Sequence, residues 1–161
     1  MHSIKLVEEF HTTFGNTIPD KPTMPTAEKV NFRIAFMMEE LNELKEAFEK
    51  GDLVEYADAL GDLQYVLDGA FIDAGLHTKK AEIMEEIHRS NMSKVCNSID
   101  ESIRTLDSLP ECNIKTPIGY WAGYHSKLVG KYWIVIRVSD NKVMKSINYS
   151  KPNLYPIVYP F

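Results

Sequence analysis

Residues 26–74 read TAEKVNFRIAFMMEELNELKEAFEKGDLVEYADALGDLQYVLDGAFIDA and predict two long helices. Apolar residues recur every three or four positions in both halves of the segment, which is the spacing of one side of a helix. Each half begins at a threonine or an aspartate that can cap a helix, and Gly51 and Gly75 are suited to end one. We therefore expect helices over about residues 26–50 and 52–74, which the very short link makes an antiparallel pair.

Both helices are expected to bury an apolar stripe, because side chains three and four positions apart lie on the same face. The stripe of the first helix consists of Ile34, Met37, Leu41, Leu44 and Phe48, and that of the second consists of Leu60, Leu63, Leu67 and Phe71.

The chain on either side of this pair predicts two further helices, over residues 3–14 and 78–95. Three prolines within residues 17–25 exclude a continuous helix there and indicate an extended connector. The predicted core thus has four to five helices over about residues 3–109 and is an antiparallel helix bundle.

Beyond about residue 110 the composition changes to aromatic and β-branched residues, which predict β-structure around Tyr120, Trp121 and Tyr124 and a strand over residues 132–138. The turn signal Ser139-Asp140-Asn141 then predicts a hairpin with residues 142–145. The fold class is therefore mainly α, with a small C-terminal β-hairpin and an irregular tail over about 110–161. We expect a single domain over 1–161, because 161 residues suit one domain of ordinary size.

The composition excludes several classes of function. A net charge of −5 argues against a protein that binds a nucleic-acid polymer by neutralising its phosphates. No apolar run approaches the ~20 residues that span a bilayer, and residues 1–9 lack the pattern of a signal peptide, so no membrane partner and a cytoplasmic location are expected. The two cysteines, Cys96 and Cys112, lack metal-type spacing and are expected to be free thiols.

Acidic residues line one edge of each helix of the pair. Glu39, Glu40 and Glu43 share a sector of the first helix, and Glu55, Asp58 and Asp62 share a sector of the second. When the pair folds back about Gly51, Glu40 comes level with Asp62 and Glu43 comes level with Asp58, while Glu55 lies nearer the turn.

Carboxylates that converge in this way repel one another and are costly to desolvate unless cations compensate their charge. A hard divalent ion is a natural partner, and Mg²⁺ commonly bridges a few carboxylates and substrate phosphates. The alternative is a solvated helix face, in which Glu46 and Glu49 form surface pairs with Lys45 and Lys50. The spacing by itself leaves both alternatives open.

Several motifs together resemble the all-α nucleoside triphosphate pyrophosphohydrolases, the MazG-like and phosphoribosyl-ATP pyrophosphohydrolase-like superfamily, and its phage and bacterial branch in particular. The resemblance covers roughly residues 5–95 and 138–157. The motifs are Phe10-His11-x-x-Phe14-Gly15, Arg33, Glu40-x-x-Glu43, Gly51-Asp52, Asp58-Ala59-Leu60-Gly61-Asp62-Leu63-x-Tyr65, Gly69 and Gly75, His88-Arg89-Ser90-Asn91-Met92-Ser93-Lys94 and the tail from Asn141 to Leu154.

The resemblance implies hydrolysis of a (deoxy)nucleoside triphosphate to the monophosphate and pyrophosphate, with Mg²⁺, or Mn²⁺ in its place, held by acidic residues. The expected metal ligands are Glu40, Glu43, Asp58 and Asp62, and Glu39 or Glu55 is expected to activate water. Many relatives have a glutamate where this chain has Ala59. Either Asp58 or Glu55 then replaces it, and the antiparallel geometry favours Asp58.

The resemblance also implies that Asn91 and Lys94 contact the substrate, and that Lys145 and Tyr149, with Lys142, close over its phosphates. The alternatives are a helix end enriched in basic residues and a solvated hairpin edge. His11, His77 and His125 have no partner at ligand spacing and are predicted to be structural or exposed.

Relatives are dimers or tetramers, and the helix pair has apolar residues on more than one side, so a homodimer or homotetramer is expected. The segment from about residue 95 to 138 matches no part of the family pattern. Two alternative functions stay open, namely phosphoribosyl-ATP pyrophosphohydrolysis and a non-catalytic helical interaction module with a decayed metal site.

Overall fold

The computed structural model describes residues 3–109 and 123–160. Expectations about Cys112, Tyr120 and Trp121 lie outside the described residues. The prediction of a mainly helical fold with a small C-terminal antiparallel sheet is confirmed. In chain order the elements are α1 (Ser3–Thr13), α2 (Ala27–Lys50), α3 (Leu53–Asp73), a 3-10 turn (His77–Lys79), α4 (Lys80–Met92), α5 (Ile99–Asp107), β1 (Tyr124–Val129), β2 (Tyr132–Arg137) and α6 (Tyr155–Val158).

The caps of α2 and α3 are those that the sequence predicts. Thr26 accepts a hydrogen bond from the Lys29 amide at 3.3 Å, and Asp52 accepts from the Val54 amide at 3.0 Å. Gly51 ends α2 in the left-handed region, with φ 69°, where a residue with a Cβ would be strained. These local signals place the observed helix ends within about a residue of the expected ones.

The chain divides into two compact units, Met1–Ala81 with Tyr155–Phe161 and Glu82–Leu154. The expectation of one domain stays a prediction. In the first unit, α3 packs against both α1 and α2. Its core contains Ile4, Val7 and Ile72.

None of the described helices is long and apolar enough to cross a membrane.

The prediction that one apolar stripe of each paired helix is buried was wrong for a single chain. In α2 only Ala47 is buried, whereas Ile34 is 53% exposed and Phe48 is 75% exposed. In α3, Ala59 is buried, but Leu60 and Leu67 are exposed. Within one chain, the large apolar side chains of the two predicted stripes are thus half-buried or exposed, and none of them is fully buried.

The second unit is built around a hairpin. Strands β1 and β2 pair in antiparallel register from Tyr124 opposite Arg137 to Val129 opposite Tyr132. Helix α5, which lies in the segment without a family match, packs on both strands. The core consists of Cys96, Leu106, Tyr124 and Val135. Cys96 is a free thiol, as predicted, and is fully buried.

The hairpin was predicted in the right region, but its predicted partner strand was wrong. The regular ladder joins β2 to β1 through Gly130, whereas residues 142–145 return beside β2 through a single bridge between Ile136 and Val143. Asp140 accepts two hydrogen bonds from Arg137, at 2.9 and 2.6 Å. The Ser139-Asp140-Asn141 turn therefore does reverse the chain, but without a second regular strand.

Candidate active site

Glu40 lies half-buried on α2, and its Oε2 atom is buried without a hydrogen-bond partner among the described residues. Burial raises the pKa of Glu40 above its usual value, because the charged form is disfavoured away from water. Neighbouring negative charges raise this pKa further. In falling order of effect they are Asp62, Glu43, Glu39 and Asp58.

The order of these effects on the pKa of Glu40 depends on how α2 and α3 are aligned along each other. Asp62, on α3, affects Glu40 more strongly than Glu43 does from the same helix. The prediction that the acidic edges of α2 and α3 face each other is therefore consistent with the charges that Glu40 experiences. Nearer the turn lies a cavity of about 260 Å³. Its wall contains Ala47, Lys50 and four acidic residues, which are Glu43, Glu46, Glu55 and Asp58.

Lysines compensate the outer acidic residues but not the inner ones. Lys50 pairs with Glu46 at 3.2 Å and Lys45 pairs with Glu49 at 3.6 Å, so the surface pairs considered for these residues form. No ion pair within the described part of the chain involves Glu40, Glu43, Asp58 or Asp62. The groove between α2 and α3 thus retains uncompensated negative charge.

The donor chemistry of this groove fits a hard cation. All its candidate ligands are carboxylate oxygens, which Mg²⁺ prefers, and the buried Oε2 of Glu40 has no other partner among the described residues. Across residues 3–109 and 123–160, however, no three His, Cys, Asp or Glu side chains are gathered around one point as a bound metal requires. The ligand set of Glu40, Glu43, Asp58 and Asp62 therefore stays a prediction.

Position 59, where many relatives have a glutamate, is buried in this chain. Ala59 is only 3% exposed, so its small side chain belongs to the buried part of α3. Asp58 is exposed, raises the pKa of Glu40 and lines the cavity near the turn, whereas Glu55 lines that cavity without an assigned effect on Glu40. The choice of Asp58 rather than Glu55 as the replacement stays a prediction.

The residues predicted to contact substrate lie in the second unit and form two pairs. Lys94 donates a hydrogen bond to Asn91 Oδ1 at 2.7 Å. The Nζ atom of Lys145 lies 4.6 Å from the ring centroid of Tyr149, at cation–π distance. Ser90 donates a hydrogen bond to the Tyr149 hydroxyl at 3.2 Å, so the tail pair is attached to the helix that carries Asn91.

The sequence reasoning missed the contacts that hold the tail on α4. Arg89 makes two hydrogen bonds to Glu86, at 2.7 and 2.8 Å, and a third to the Lys151 carbonyl at 3.0 Å. Glu86 in turn accepts from the Asn153 amide at 2.7 Å. These hydrogen bonds, that of the Arg89 side chain first, lower the pKa of Glu86 to about 2. The i, i+3 spacing of Glu86 and Arg89 is the sequence feature from which their ion pair could have been predicted.

A family model described as phosphoribosyl-ATP pyrophosphohydrolase matches residues 7–91. The chain belongs to this family. The match covers slightly more than half of the chain and includes all six acidic candidates of α2 and α3 and, at its end, Asn91. The resemblance to the MazG-like and phosphoribosyl-ATP pyrophosphohydrolase-like superfamily is thus confirmed, whereas no curated protein matches the chain.

Membership in the phosphoribosyl-ATP pyrophosphohydrolase family supports a pyrophosphohydrolase-type activity on a nucleotide. In general terms this is a hydrolase that acts on phosphoric anhydrides. The carboxylate groove between α2 and α3 lies wholly within the matched residues, so it is the candidate active site of this family member.

Proposed function

We propose that the protein is a magnesium-dependent nucleoside triphosphate pyrophosphohydrolase, which converts a (deoxy)nucleoside triphosphate and water to the monophosphate and pyrophosphate. One observation carries the proposal. Glu40 is half-buried beside the carboxylates of Glu43, Asp58 and Asp62, and none of these four side chains forms an ion pair with a basic side chain among the described residues. Family membership supports the reaction class.

Glu40, Glu43, Asp58 and Asp62 would hold the magnesium ion. When bound, the ion would neutralise phosphate charge and polarise a phosphoryl oxygen. The same four side chains repel the phosphates when no cation is present, so a cation is needed before the substrate can approach them.

Glu55 or Glu39 acts as the general base in this proposal. Both side chains are exposed, and Glu55 lines the cavity near the turn. The carboxylate takes a proton from water while the water oxygen bonds to phosphorus. The α–β phosphoanhydride bond breaks, pyrophosphate leaves, and the proton stays on the glutamate until it is released to solvent.

Asn91, Lys94, Lys145 and Tyr149 are proposed substrate contacts of the second unit. Lysine ammonium groups bind phosphate as point charges, and an asparagine amide both donates and accepts hydrogen bonds. The existing pairs, Lys94 with Asn91 and Lys145 with Tyr149, hold these polar groups in defined positions. Single replacement of each residue by alanine, followed by measurement of KM, tests this role.

We further propose a homodimer or homotetramer. Phe32 and Ile34 of α2 are both more than half exposed in the single chain, as are Leu53 and Val54 at the start of α3. Large apolar side chains in such numbers on one helix pair are typical of a surface that another copy covers.

Phosphoribosyl-ATP is a second candidate substrate, because the matching family model carries that description. The acidic groove would serve the same chemistry on either molecule. The experiment that decides is a pyrophosphate-release assay with purified protein and Mg²⁺ over the canonical ribo- and deoxyribonucleoside triphosphates, modified triphosphates and phosphoribosyl-ATP. Preference for a triphosphate supports the proposal, and preference for phosphoribosyl-ATP replaces it. Release from none of them would leave the non-catalytic module as the remaining function.

A further inference from the structure

A second cavity of the first unit lies between α1, α2 and α3 and has a volume of about 390 Å³. This volume is within the range of roughly 300–1,000 Å³ that is common for small-molecule sites. None of the six acidic candidates lines it. Its wall includes Phe10, His11, Phe32, Arg33, Phe36 and Tyr65.

His11 is the most buried polar residue in the wall of this cavity, with 3% of its surface exposed, and Asp73 is also buried. A nitrogen of the Arg33 guanidinium lies 3.1 Å from His11 Nε2. Because a guanidinium can only donate hydrogen bonds, Nε2 must accept, and the proton of the neutral imidazole is then on Nδ1. Asp73 fixes Arg33 from the other side by accepting from its Nε atom at 2.7 Å.

The Nδ1 atom of His11 is therefore a donor for which the described part of the chain supplies no acceptor. It is buried and has no hydrogen-bond partner among the described residues. Burial first, and then the positive charge of Arg33, lower the pKa of His11, which keeps the imidazole neutral near pH 7. A buried donor without a partner costs free energy unless a ligand satisfies it.

Aromatic rings line the same cavity as His11. The rings of Phe10 and Tyr65 meet edge to face, with centroids 5.8 Å apart, and the Arg33 guanidinium lies 5.9 Å from the Phe32 ring centroid. Aromatic and guanidinium planes are surfaces on which flat heterocycles stack. The cavity thus combines stacking surfaces with a buried hydrogen-bond donor on His11, in addition to the donors of Asn16, Lys29 and Arg33.

The cavity also lies next to the acidic groove along the same two helices. Phe36 precedes Glu40 by four residues on α2, and Tyr65 follows Asp62 by three residues on α3. Four residues of α-helix span about 6 Å along the axis. One molecule can therefore extend from the cavity to the carboxylates if a flat ring and a phosphate chain are joined by a short linker.

We propose that this cavity is the nucleobase subsite, in which His11 Nδ1–H donates to a carbonyl oxygen or an unprotonated ring nitrogen of the base. The proposal rests on the proposed function, because it places the base of that substrate beside the groove that would receive its phosphates. The hydrogen bond from His11 selects bases that present an acceptor at this position. Arg33 and Asp73 are positioning residues that fix the imidazole tautomer.

Two substitutions of His11 separate its two nitrogens. Asparagine places an amide group near the position of Nδ1, so His11→Asn can keep the donor to the base while it loses the contact with Arg33. Glutamine reaches the position of Nε2, so His11→Gln can keep the contact with Arg33 while it loses the donor. His77→Gln is the matched control, because His77 is half-buried outside the cavity and also has an Nδ1 atom without a partner among the described residues.

The direct test is calorimetric binding, with Mg²⁺ present, of the eight canonical nucleoside 5′-monophosphates and of ribose 5-phosphate, which lacks a base. The wild-type protein and the His77→Gln variant should bind the preferred nucleotide at least about tenfold more tightly than ribose 5-phosphate, as the loss of a buried hydrogen bond and of stacking requires. His11→Gln should lose most of this preference, and His11→Asn should retain it. Equal binding of ribose 5-phosphate by the wild type, or an unchanged preference in His11→Gln, would overturn the subsite.

A second readout does not depend on turnover. In ¹⁵N NMR spectra the neutral His11 ring should carry its proton on Nδ1, and the Nδ1 signal should shift when a nucleotide binds but not when ribose 5-phosphate binds. If His11→Gln instead changes the oligomeric state in ultracentrifugation and leaves the base preference intact, the cavity belongs to a subunit interface and the proposal is wrong.

The two proposals fail in different ways. Equal pyrophosphate release from nucleoside triphosphates and from ribose 5-triphosphate would remove the base subsite and leave the proposed function standing. Base-dependent binding without pyrophosphate release from any triphosphate would remove the proposed function and leave the subsite standing.

Discussion

Gly69 on α3 lies directly against the guanidinium of Arg33 on α2, since a Cβ atom added to Gly69 would come within 2.5 Å of the Arg33 Cζ atom. No side chain can occupy this position without displacing Arg33. The contact links the packing of α2 on α3 to the pair of hydrogen bonds that Arg33 makes to Asp73 and His11.

Gly69→Ala is therefore expected to displace Arg33 and to cost about 1–3 kcal/mol of stability through lost hydrogen bonds. Gly61→Ala is the matched control on the same helix, because no atom of the described residues lies within 4 Å of its added Cβ. This control should be stabilising by roughly 0.5–1 kcal/mol, since alanine favours a helix over glycine. Urea unfolding followed by circular dichroism measures both changes, and equal effects of the two variants would contradict the role of the Arg33 contact.

Glu43→Gln should lower kcat for pyrophosphate release by about a hundredfold or more, because loss of a charged group that acts on the reacting phosphate has effects of this size. The secondary structure should not change, since Glu43 is exposed. Glu49→Gln, which removes only a surface partner of Lys45 at 3.6 Å, is the control and should retain activity. Near-normal turnover by Glu43→Gln would mean that the metal lies elsewhere.

Glu40→Gln should raise the melting temperature at pH 7 in EDTA by about 2–4 °C. The fold raises the pKa of Glu40, so protonation of this residue favours the folded state below the ordinary value of 4.5, and that benefit is lost as the pH rises through the folded-state pKa. At pH 7 the charged carboxylate therefore opposes folding. Mg²⁺ should stabilise the wild type in differential scanning fluorimetry and have little effect on the variant. A variant that Mg²⁺ stabilises as much as the wild type would remove Glu40 from the ligand set.

Glu101→Gln should weaken the second unit by about 1–3 kcal/mol, because Glu101 is buried and accepts hydrogen bonds from Ser146 and from the Asn97 amide. Burial by itself would raise the pKa of Glu101, but these hydrogen bonds outweigh it and lower the pKa. The stabilisation is therefore complete above the ordinary value of 4.5 and is lost as the pH falls through the folded-state pKa. Tryptophan fluorescence in urea at pH 7 and pH 4 should show the variant's deficit shrinking at the lower pH. Glu85→Gln, at an exposed position, serves as control.

Ile34→Lys should shift the protein toward monomer in sedimentation analysis, because it introduces a charge among the exposed apolar residues of α2. Met24→Lys changes a residue that is 88% exposed and precedes α2, and it should leave the oligomeric state unchanged. A wild type that sediments as a monomer, or an Ile34→Lys variant that still assembles, would show that α2 is not an interface.

The parts of the fold that depend on local chemistry were predictable from the sequence. The caps at Thr26 and Asp52 and the left-handed Gly51 each act within one helical turn, so they set the helix ends wherever the helix packs. The hairpin was harder to place, because the turn around Asp140 carries a stronger local signal than the Gly130 turn that joins the regular strands.

The candidate site, like the fold, was predictable only in part. Helical periodicity predicts that the acidic residues of α2 and α3 lie on facing edges, since both sets lie close to one short turn. The Arg33 network was not predictable, because its partners His11 and Asp73 are 22 and 40 residues away in sequence. The buried stripe failed for a related reason, since periodicity identifies an apolar face but not what covers it.

The contacts between α4 and the tail bring two distant points of the chain together. The Ser150 amide donates to Ser93 Oγ at 2.9 Å, although 57 residues separate the two positions. Lengthening a segment whose ends meet in this way costs little, because the entropic cost of closing a loop rises only slowly with its length. The chain between Ser93 and Ser150, which carries α5 and the hairpin, therefore forms a closed loop whose length can change without moving its two ends.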